Sequence, residues 1–303
     1  MHILGKTALS YGAIATKKFA LHNLIHTTQY DSMAWRGILG FRTSPRLSLK
    51  GKRVWIVGAS SGIGAALAYR CAEDGAQLAL SARSTSILEE IVHALEGSQH
   101  VALPADVTDM PSLKRAWKKL SAEWGVPDVV LCCAGIYQAP RWDHFSAQEQ
   151  IQVLDTNVSG TLRILELLLP EWKARRSGLL VLFGSFVGLS GARGALAYGA
   201  SKAATRHLAE SLLLELEPHQ IAVQLVTPGF VDTGMTEGLP LRMPMKLTAP
   251  HAADIILAQL GRKDVFEIEL PYLFVRAIKG AHWLLPRRWF LMLTERFHLP
   301  TQK

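Results

Sequence analysis

The chain has 303 residues, 49% of them apolar and 19% charged, enough for a buried core in one large domain or two small ones. Three cysteines, Cys71, Cys132 and Cys133, are too few for a disulfide framework, and without a CxxC pair or a His/Cys cluster no metal site is expected. The formal charge of +8 resembles a nucleic-acid signal until it is located. Nine Lys/Arg (Lys6, Lys17, Lys18, Arg36, Arg42, Arg46, Lys50, Lys52 and Arg53) face one acid, Asp31, within residues 1–53, whereas the other 250 residues carry 24 charges of each sign.

The charge therefore belongs to a basic extension, residues 1–50, and nucleic acid is not expected as a partner. Its longest uncharged stretch before Lys17, Thr7 to Thr16, is too short to span a bilayer. No continuous apolar run leads to a small-residue cleavage site. The acid-poor composition suits a transit peptide, a membrane-surface arm or a translated leader upstream of Met33, a partly ordered arm being preferred. The chain is read as cytoplasmic.

From Arg53 onward, short apolar runs alternate with helix-period segments. Strand-like Val54–Ala59 precedes a helix over Ile63–Glu73 ended by Gly75, and strand Gln77–Ala82 precedes a helix over Ile87–Leu95. "HVALPAD" is a third strand followed by helix Pro111–Trp124; "DVVLCCAG" is a fourth, followed by a long helix from about Ala147 to Ala174 with Pro170 near its end. "GLLVLFGS", helix Tyr198–Leu216, "IAVQLVTPG", helix Ala252–Leu260 and strand Val265–Leu270 complete the series. Near-continuous apolar strands alternating with helices imply an α/β, doubly wound parallel sheet of about seven strands, covered on both faces. The expected core domain is residues 51–270, with residues 271–303 as an apolar, basic tail.

"GASSGIG", Gly58 to Gly64, lies between the first strand and first helix. Glycines there permit a tight turn and let a pyrophosphate approach the positive end of the helix. In dinucleotide folds the end of the second strand, about 20 residues on, selects the cofactor: an acid for the ribose hydroxyls, a basic residue for a 2′-phosphate. Here Ser81, Ala82, Arg83 and Ser84 stand there, with no acid before Glu89. Arg83 points to NADP(H) over NAD(H). Asp106 either bonds an adenine amine or caps the following helix.

"LAYGASKAA" places Tyr198 and Lys202 four residues apart, one helical turn on one face. A cation at roughly 4 Å in an effective dielectric of about 20 favours a phenolate by ~4 kcal/mol, or about three pKa units. Acid–base work near neutral pH follows from that.

Taken together, these motifs resemble the short-chain dehydrogenase/reductase family over roughly residues 51–240. They run in order: "VGASSGIG", "CCAG" (Cys132 to Gly135), Asn157 in "DTNVSG", Ser185 in "LFGS", Tyr198/Lys202 and "TPGFVDT" (Thr227 to Thr233). Ser185 precedes the tyrosine by thirteen residues, the family's spacing. The resemblance implies that Tyr198 exchanges a proton with the carbonyl or alcohol oxygen, and that Ser185 steadies the oxyanion. It implies further that Lys202 lowers the phenol's pKa and holds the nicotinamide ribose, and that Asn157 orders the helix and a proton-relaying water. Cofactor contacts are implied for Gly58, Ser60, Ser61, Gly62, Ile63, Gly64, Arg83, Asp106, Val107, Ala134, Gly135, Tyr198, Lys202, Pro228, Gly229, Val231 and Thr233. Val57, Cys132 and Cys133 depart from the family's Thr and two Asn, so packing is expected to replace polar bracing.

The activity implied is NADP(H)-dependent interconversion of a ketone or aldehyde with an alcohol; a catalytically idle, nucleotide-sensing protein on the same fold is the rival reading. Phe230, Met235, Leu239, Leu241, Met243, Met245 and Leu247 form an apolar lid segment suited to a lipid-, steroid- or aromatic-like substrate. The tail's "YLFV", "HWLLP" and "WFLML", interspersed with Arg276, Lys279, Arg287, Arg288 and Arg296, fit a peripheral membrane helix, a substrate flap or an oligomer seam. Pro286 should divide any helix there. Family members pair their long helices, so those ending near Trp172 and Leu216 are expected to form a dimer or tetramer.

Overall fold

The structure, a computed structural model, describes residues 44–97 and 99–297. The readings attached to Lys6, Lys17, Lys18, Asp31, Arg36 and Arg42 lie outside the described residues. The described residues belong to one compact unit. Its first residues are fastened to the body: Leu49 is fully buried, Arg46 grips Asp74 with two 2.8 Å bonds, and Leu47 donates to the Leu260 carbonyl at 2.7 Å.

Seven parallel strands make one sheet: β1 (Arg53–Val57), β2 (Gln77–Ser81), β3 (Val101–Ala102), β4 (Val129–Cys132), β5 (Gly178–Phe183), β6 (Ile221–Pro228) and β9 (Glu267–Leu270), in spatial order β3-β2-β1-β4-β5-β6-β9. Two short strands, β7 (Val231–Asp232) and β8 (Leu247–Thr248), pair beside it. The helices are α1 (Gly62–Glu73), α2 (Thr85–Ala94), α3 (Met110–Glu123), α4 (Ala147–Leu154), α5 (Gly160–Arg175), α6 (Leu196–Leu216), α7 (Ala249–Leu257), α8 (Tyr272–Leu284) and α9 (Arg287–Glu295).

The strands read as unbroken apolar runs because both faces of the sheet are covered. Val54 and Ile56 of β1 enter one core with Leu67 of α1, Leu88 of α2 and Ile256 of α7. Their neighbours Trp55 and Val57 enter the other, with Leu113 of α3, Ile164 of α5 and Ala209 of α6. The winding reverses between β1 and β4, which are hydrogen-bonded neighbours. A crevice therefore opens beyond their carboxyl ends.

Three expected elements differ from the fold. The third strand shrinks to two residues, since Pro104 has no N–H to donate, although Leu103 and Ala105 still bond back to Leu80 and Ala82. The seventh begins at Glu267 instead of Val265, whose carbonyl accepts from Gln224 Nε2 at 2.8 Å. The long helix is interrupted by a π turn, Asp155–Ser159, which aims Asn157 into the interior. The tail divides at Pro286 as its sequence indicates.

An ionic cluster fastens α8 to the sheet edge. Glu267 of β9 receives Arg206 of α6, Thr227 Oγ1 of β6 at 2.5 Å and Lys279 of α8 at 2.5 Å. Buried Glu269 receives Lys279 and Arg276, both at 2.5 Å. Burial would raise the Glu267 carboxyl, but the bonds from Arg206, Lys279 and Thr227 outweigh it and pull the pKa down to about 2. A folded-state value below the unfolded one, 4.5, means stabilisation that is complete above that pH and disappears as pH falls toward 2. The amount is about 3 kcal/mol. Urea unfolding as a function of pH should show Glu267→Gln less stable than the parent at pH 7 and flatter below pH 4.5; parallel pH profiles would contradict this role.

Candidate active site

The crevice beyond β1 and β4 is a cleft of about 320 Å³. The turn from β1 into α1 makes its floor: Gly58 takes φ +91°, and a Cβ there would stand 2.4 Å from the Ala134 nitrogen. Only glycine lets the two strand ends approach so closely. Gly58 and Ala59 donate to the Ser81 carbonyl at 2.7 and 3.1 Å, which locks the turn to β2. Ser61, at the N-cap of α1, makes no side-chain cap bond, and no acid lies in the first turn. The positive helix end is thus left for an anion.

Every candidate cofactor residue lines this cleft: Gly58, Ser60, Ser61, Gly62, Ile63, Gly64, Arg83, Asp106, Val107, Ala134, Gly135, Tyr198, Lys202, Pro228, Gly229, Val231 and Thr233. Ser185 lines it too. Arg83 is exposed at its rim and has no carboxylate partner among the described residues. Asp106 does not cap α3, whose N-cap is Asp109. Its Oδ1 accepts from Thr108 N and Oγ1 at 2.8 and 2.7 Å, which closes the turn after β3. Cys133, half-buried and a free thiol, packs on the core beneath α1 where the resembled pattern has Asn.

Asn157 stands outside the cleft lining, buried in the π turn. Its Oδ1 accepts from Ile136 N at 2.8 Å, and its Nδ2 donates to the Ile136 carbonyl at 3.0 Å and to Ser201 Oγ at 2.9 Å. The side chain clamps the end of the β4 loop to α6. It is a positioning group, holding Gly135 close to Lys202 Nζ.

Lys202, almost wholly buried, donates to the Phe183 carbonyl at 2.7 Å. Its nitrogen lies over the face of Tyr198, 5.6 Å from the ring centroid. Burial lowers its pKa to about 8, partly opposed by Cys133. Burial raises the Tyr198 phenol to about 12, with Ser185 hydrogen bonding lowering it and Tyr137 raising it. The spacing-based expectation of a phenol drawn down by its lysine is therefore not what this geometry produces. The two share a helix face, yet the long lysine side chain runs to the β5 carbonyl and leaves the phenol's burial opposed only by Ser185.

A second, apolar cavity of about 110 Å³ opens from the same residues. Tyr198, Ser185, Gly229, Met235 and Thr236 border both spaces. Tyr137 stands edge-on to Tyr198 with centroids 5.3 Å apart and donates to the Gly194 carbonyl at 3.1 Å. Phe230, Leu239 and Leu241 of the expected lid line the cavity, and Met243 packs behind them. Met245 is instead exposed, and Leu247 packs on the core from β8. Phe290, within the tail's "WFLML", also lines the cavity, as do Tyr137, Phe186, Ile278 and Phe297, which were not singled out from sequence. For the last two the signal was present: apolar residues recurring every three or four positions along the tail.

Residues 52–243 match the family described as short chain dehydrogenase. The chain belongs to the short-chain dehydrogenase family. It is 32% identical over 225 residues to an uncharacterized oxidoreductase of Staphylococcus epidermidis, covering 73% of this chain and 97% of that one. It is also 32% identical over 193 residues to a 3-oxoacyl-(acyl-carrier-protein) reductase of Escherichia coli, covering 64% and 79%. A solved short-chain dehydrogenase from Streptomyces avermitilis superposes with TM-score 0.69 at 26% identity, over 77% of this chain and 93% of the other. The chain is accordingly an oxidoreductase of a family that uses nicotinamide cofactors. Its Gly58 turn, open helix end and Arg83, without a carboxylate partner among the described residues, fit such a group.

Because a Cβ at position 58 would meet backbone, relief requires moving β1 away from β4. Gly58→Ala should lower unfolding free energy by about 2 kcal/mol or more and abolish dinucleotide binding, as read by denaturant titration and cofactor fluorescence. Unchanged stability and binding would refute the close-approach argument.

Proposed function

We propose that this dehydrogenase interconverts an apolar ketone or aldehyde with its alcohol using NADP(H). One observation carries the reading: Tyr198 and Ser185 stand at the junction of the cleft over the Gly58 turn and the apolar cavity. A carbonyl carbon in the cavity mouth would meet both the cofactor space and the proton donor. The nicotinamide, when bound, supplies the hydride.

The chain's own residues would manage the oxygen. A phenol at about 12 is protonated at neutral pH, so Tyr198 is ready to give its proton to the carbonyl oxygen as that oxygen gains charge. The Ser185 hydroxyl donates to the same oxygen. The phenolate left behind lies next to the Lys202 ammonium, which at about 8 is still charged at neutral pH and is a stronger acid than an exposed lysine. Asn157 acts at one remove, by fixing the loop and helix that carry Gly135 and Lys202.

Arg83, exposed at the rim where the adenosine ribose of a nicotinamide dinucleotide is held in doubly wound folds, supports the 2′-phosphate form. The wall of Phe186, Phe230, Leu241, Ile278, Phe290 and Phe297 supports a lipid-, steroid- or aromatic-like carbonyl. Exposed Ile151, Leu154, Leu162 and Leu214 on α4, α5 and α6 support association of the chain through its long helices.

Two assays test the reading. Tyr198→Phe should reduce kcat for NADPH oxidation on a panel of apolar ketones and aldehydes by roughly 10²–10⁴-fold while NADPH still binds; retained turnover would dismiss the phenol as proton donor. Arg83→Ala should weaken NADPH by about ten- to a hundredfold, the worth of a charge-assisted bond, and leave NADH nearly unaffected. Equal loss with both cofactors would contradict phosphate recognition.

A further inference from the structure

The two tail helices are apolar on both sides. Their inner stripes, Ile278 on α8 with Phe290 and Thr294 on α9, line the substrate cavity. Their outer stripes bury nothing: Leu273 is 68% exposed, Trp283 84%, Leu284 70%, Trp289 65% and Met292 64%. Two of the three strongly exposed tryptophans, Trp283 and Trp289, stand on this one pair of helices beside Leu273, Leu284 and Met292, and so large an apolar patch marks a surface that something covers.

Charge decides what covers it. Residues 271–297 hold five Lys/Arg and one acid, Glu295, and Glu295 is already paired with Arg193 at 2.8 Å. Arg276 and Lys279 are engaged by Glu269 and Glu267. Arg287, Arg288 and Arg296 have no carboxylate partner among the described residues; Arg287 reaches only the His282 ring, at 3.0 Å. A second copy docking here by a two-fold axis would face this patch with itself, arginine toward arginine. An anionic lipid surface instead answers both features, taking the indoles and aliphatic side chains among its headgroups and acyl chains and the arginines against its phosphates.

We propose that the outer face of α8 and α9 docks on an anionic membrane surface. No helix of the described residues is long and apolar enough to cross a membrane, so the contact is peripheral. The docked helices are the same ones whose inner stripes wall the cavity, so lipid and active site lie on opposite sides of a single helical layer. The ionic cluster of Glu267, Glu269, Arg206 and Lys279 keeps that layer tied to the sheet edge. The inference stands on the outer face alone and survives if the reaction proves different.

Co-sedimentation of the full chain with vesicles tests it, using phosphatidylcholine alone and phosphatidylcholine mixed with phosphatidylserine. Binding is expected to the mixed vesicles and to fall as salt is raised. Arg287→Gln with Arg288→Gln should weaken it about 25-fold, fivefold per basic residue. Trp283→Ser with Trp289→Ser should weaken it at least about tenfold, with melting temperature and reductase activity toward a water-soluble aldehyde unchanged. Absence of binding to mixed vesicles would overturn the proposal. So would undiminished binding by both double variants, which would assign the contact to another surface. A lipid-free drop in oligomer mass on the tryptophan substitutions, measured by light scattering, would make the face a seam between copies and overturn it as well.

Discussion

A lysine held out of water against one backbone carbonyl is the constraint around which the active cleft is arranged. An ammonium in a low-dielectric interior is strongly disfavoured unless something answers its charge. Lys202 has the Phe183 carbonyl at 2.7 Å and the π face of Tyr198 at 5.6 Å, a modest compensation, and its pKa falls accordingly to about 8. The same burial moves the phenol in the opposite direction, since for tyrosine the charged form is the deprotonated one. Desolvation thus brings two groups of ordinarily similar pKa to about 8 and about 12 and inverts their order. At neutral pH both protons stay on.

Such a pair has to be held by structure that does not itself titrate. Asn157 supplies this through three neutral hydrogen bonds to Ile136 and Ser201, and its inward aim depends on the π turn at Asp155–Ser159. Interruptions of this kind are common at functional sites because they redirect a side chain at the loss of little regular structure. The neighbouring positions occupied by Cys132 and Cys133 contribute packing instead. Burial raises the Cys132 thiol to about 12 and pushes Cys133 well above the usual thiol range, so neither is a nucleophile at neutral pH.

Legibility in the sequence followed the range of the interactions. Alternation of apolar runs with helix-period segments is local, and it predicts the seven strands and their two covered faces. The glycine turn, Ser185 and the Tyr198/Lys202 pair are local too, and the fold brings them to one cleft. What could not be read was long-range. Nothing near Val265 announces that Gln224 takes its carbonyl, and nothing in "DTNVSG" signals a π turn. The i,i+4 spacing places Tyr198 and Lys202 on one face but leaves unsaid that the lysine continues to a carbonyl on β5. The tail was the hardest case. Its apolar and basic mixture fits a flap, a seam or a membrane helix equally well from composition, and only tertiary contacts separate the stripe facing the cavity from the stripe facing outward.

That separation follows from where the charges of the tail meet partners. Lys279 and Arg276 lie on α8 within reach of Glu267 and Glu269, carboxylates already committed to the edge strand. These pairs fix the rotation of α8 about its axis, and the rotation places Phe274, Val275 and Ile278 inward against Phe186 and Phe230. The packing is close: a Cβ on Gly229 would stand 2.9 Å from the Phe274 ring, so the loop after β6 and the tail helix are fitted to one another. A helix of thirteen residues with an apolar majority cannot bury every apolar side chain against a single sheet edge. Once the inner stripe is fixed, Leu273, Trp283 and Leu284 are left outside by geometry alone. The apolar outer face is thus the unavoidable complement of the cavity wall, and the arginines beside it determine which surroundings can accept it.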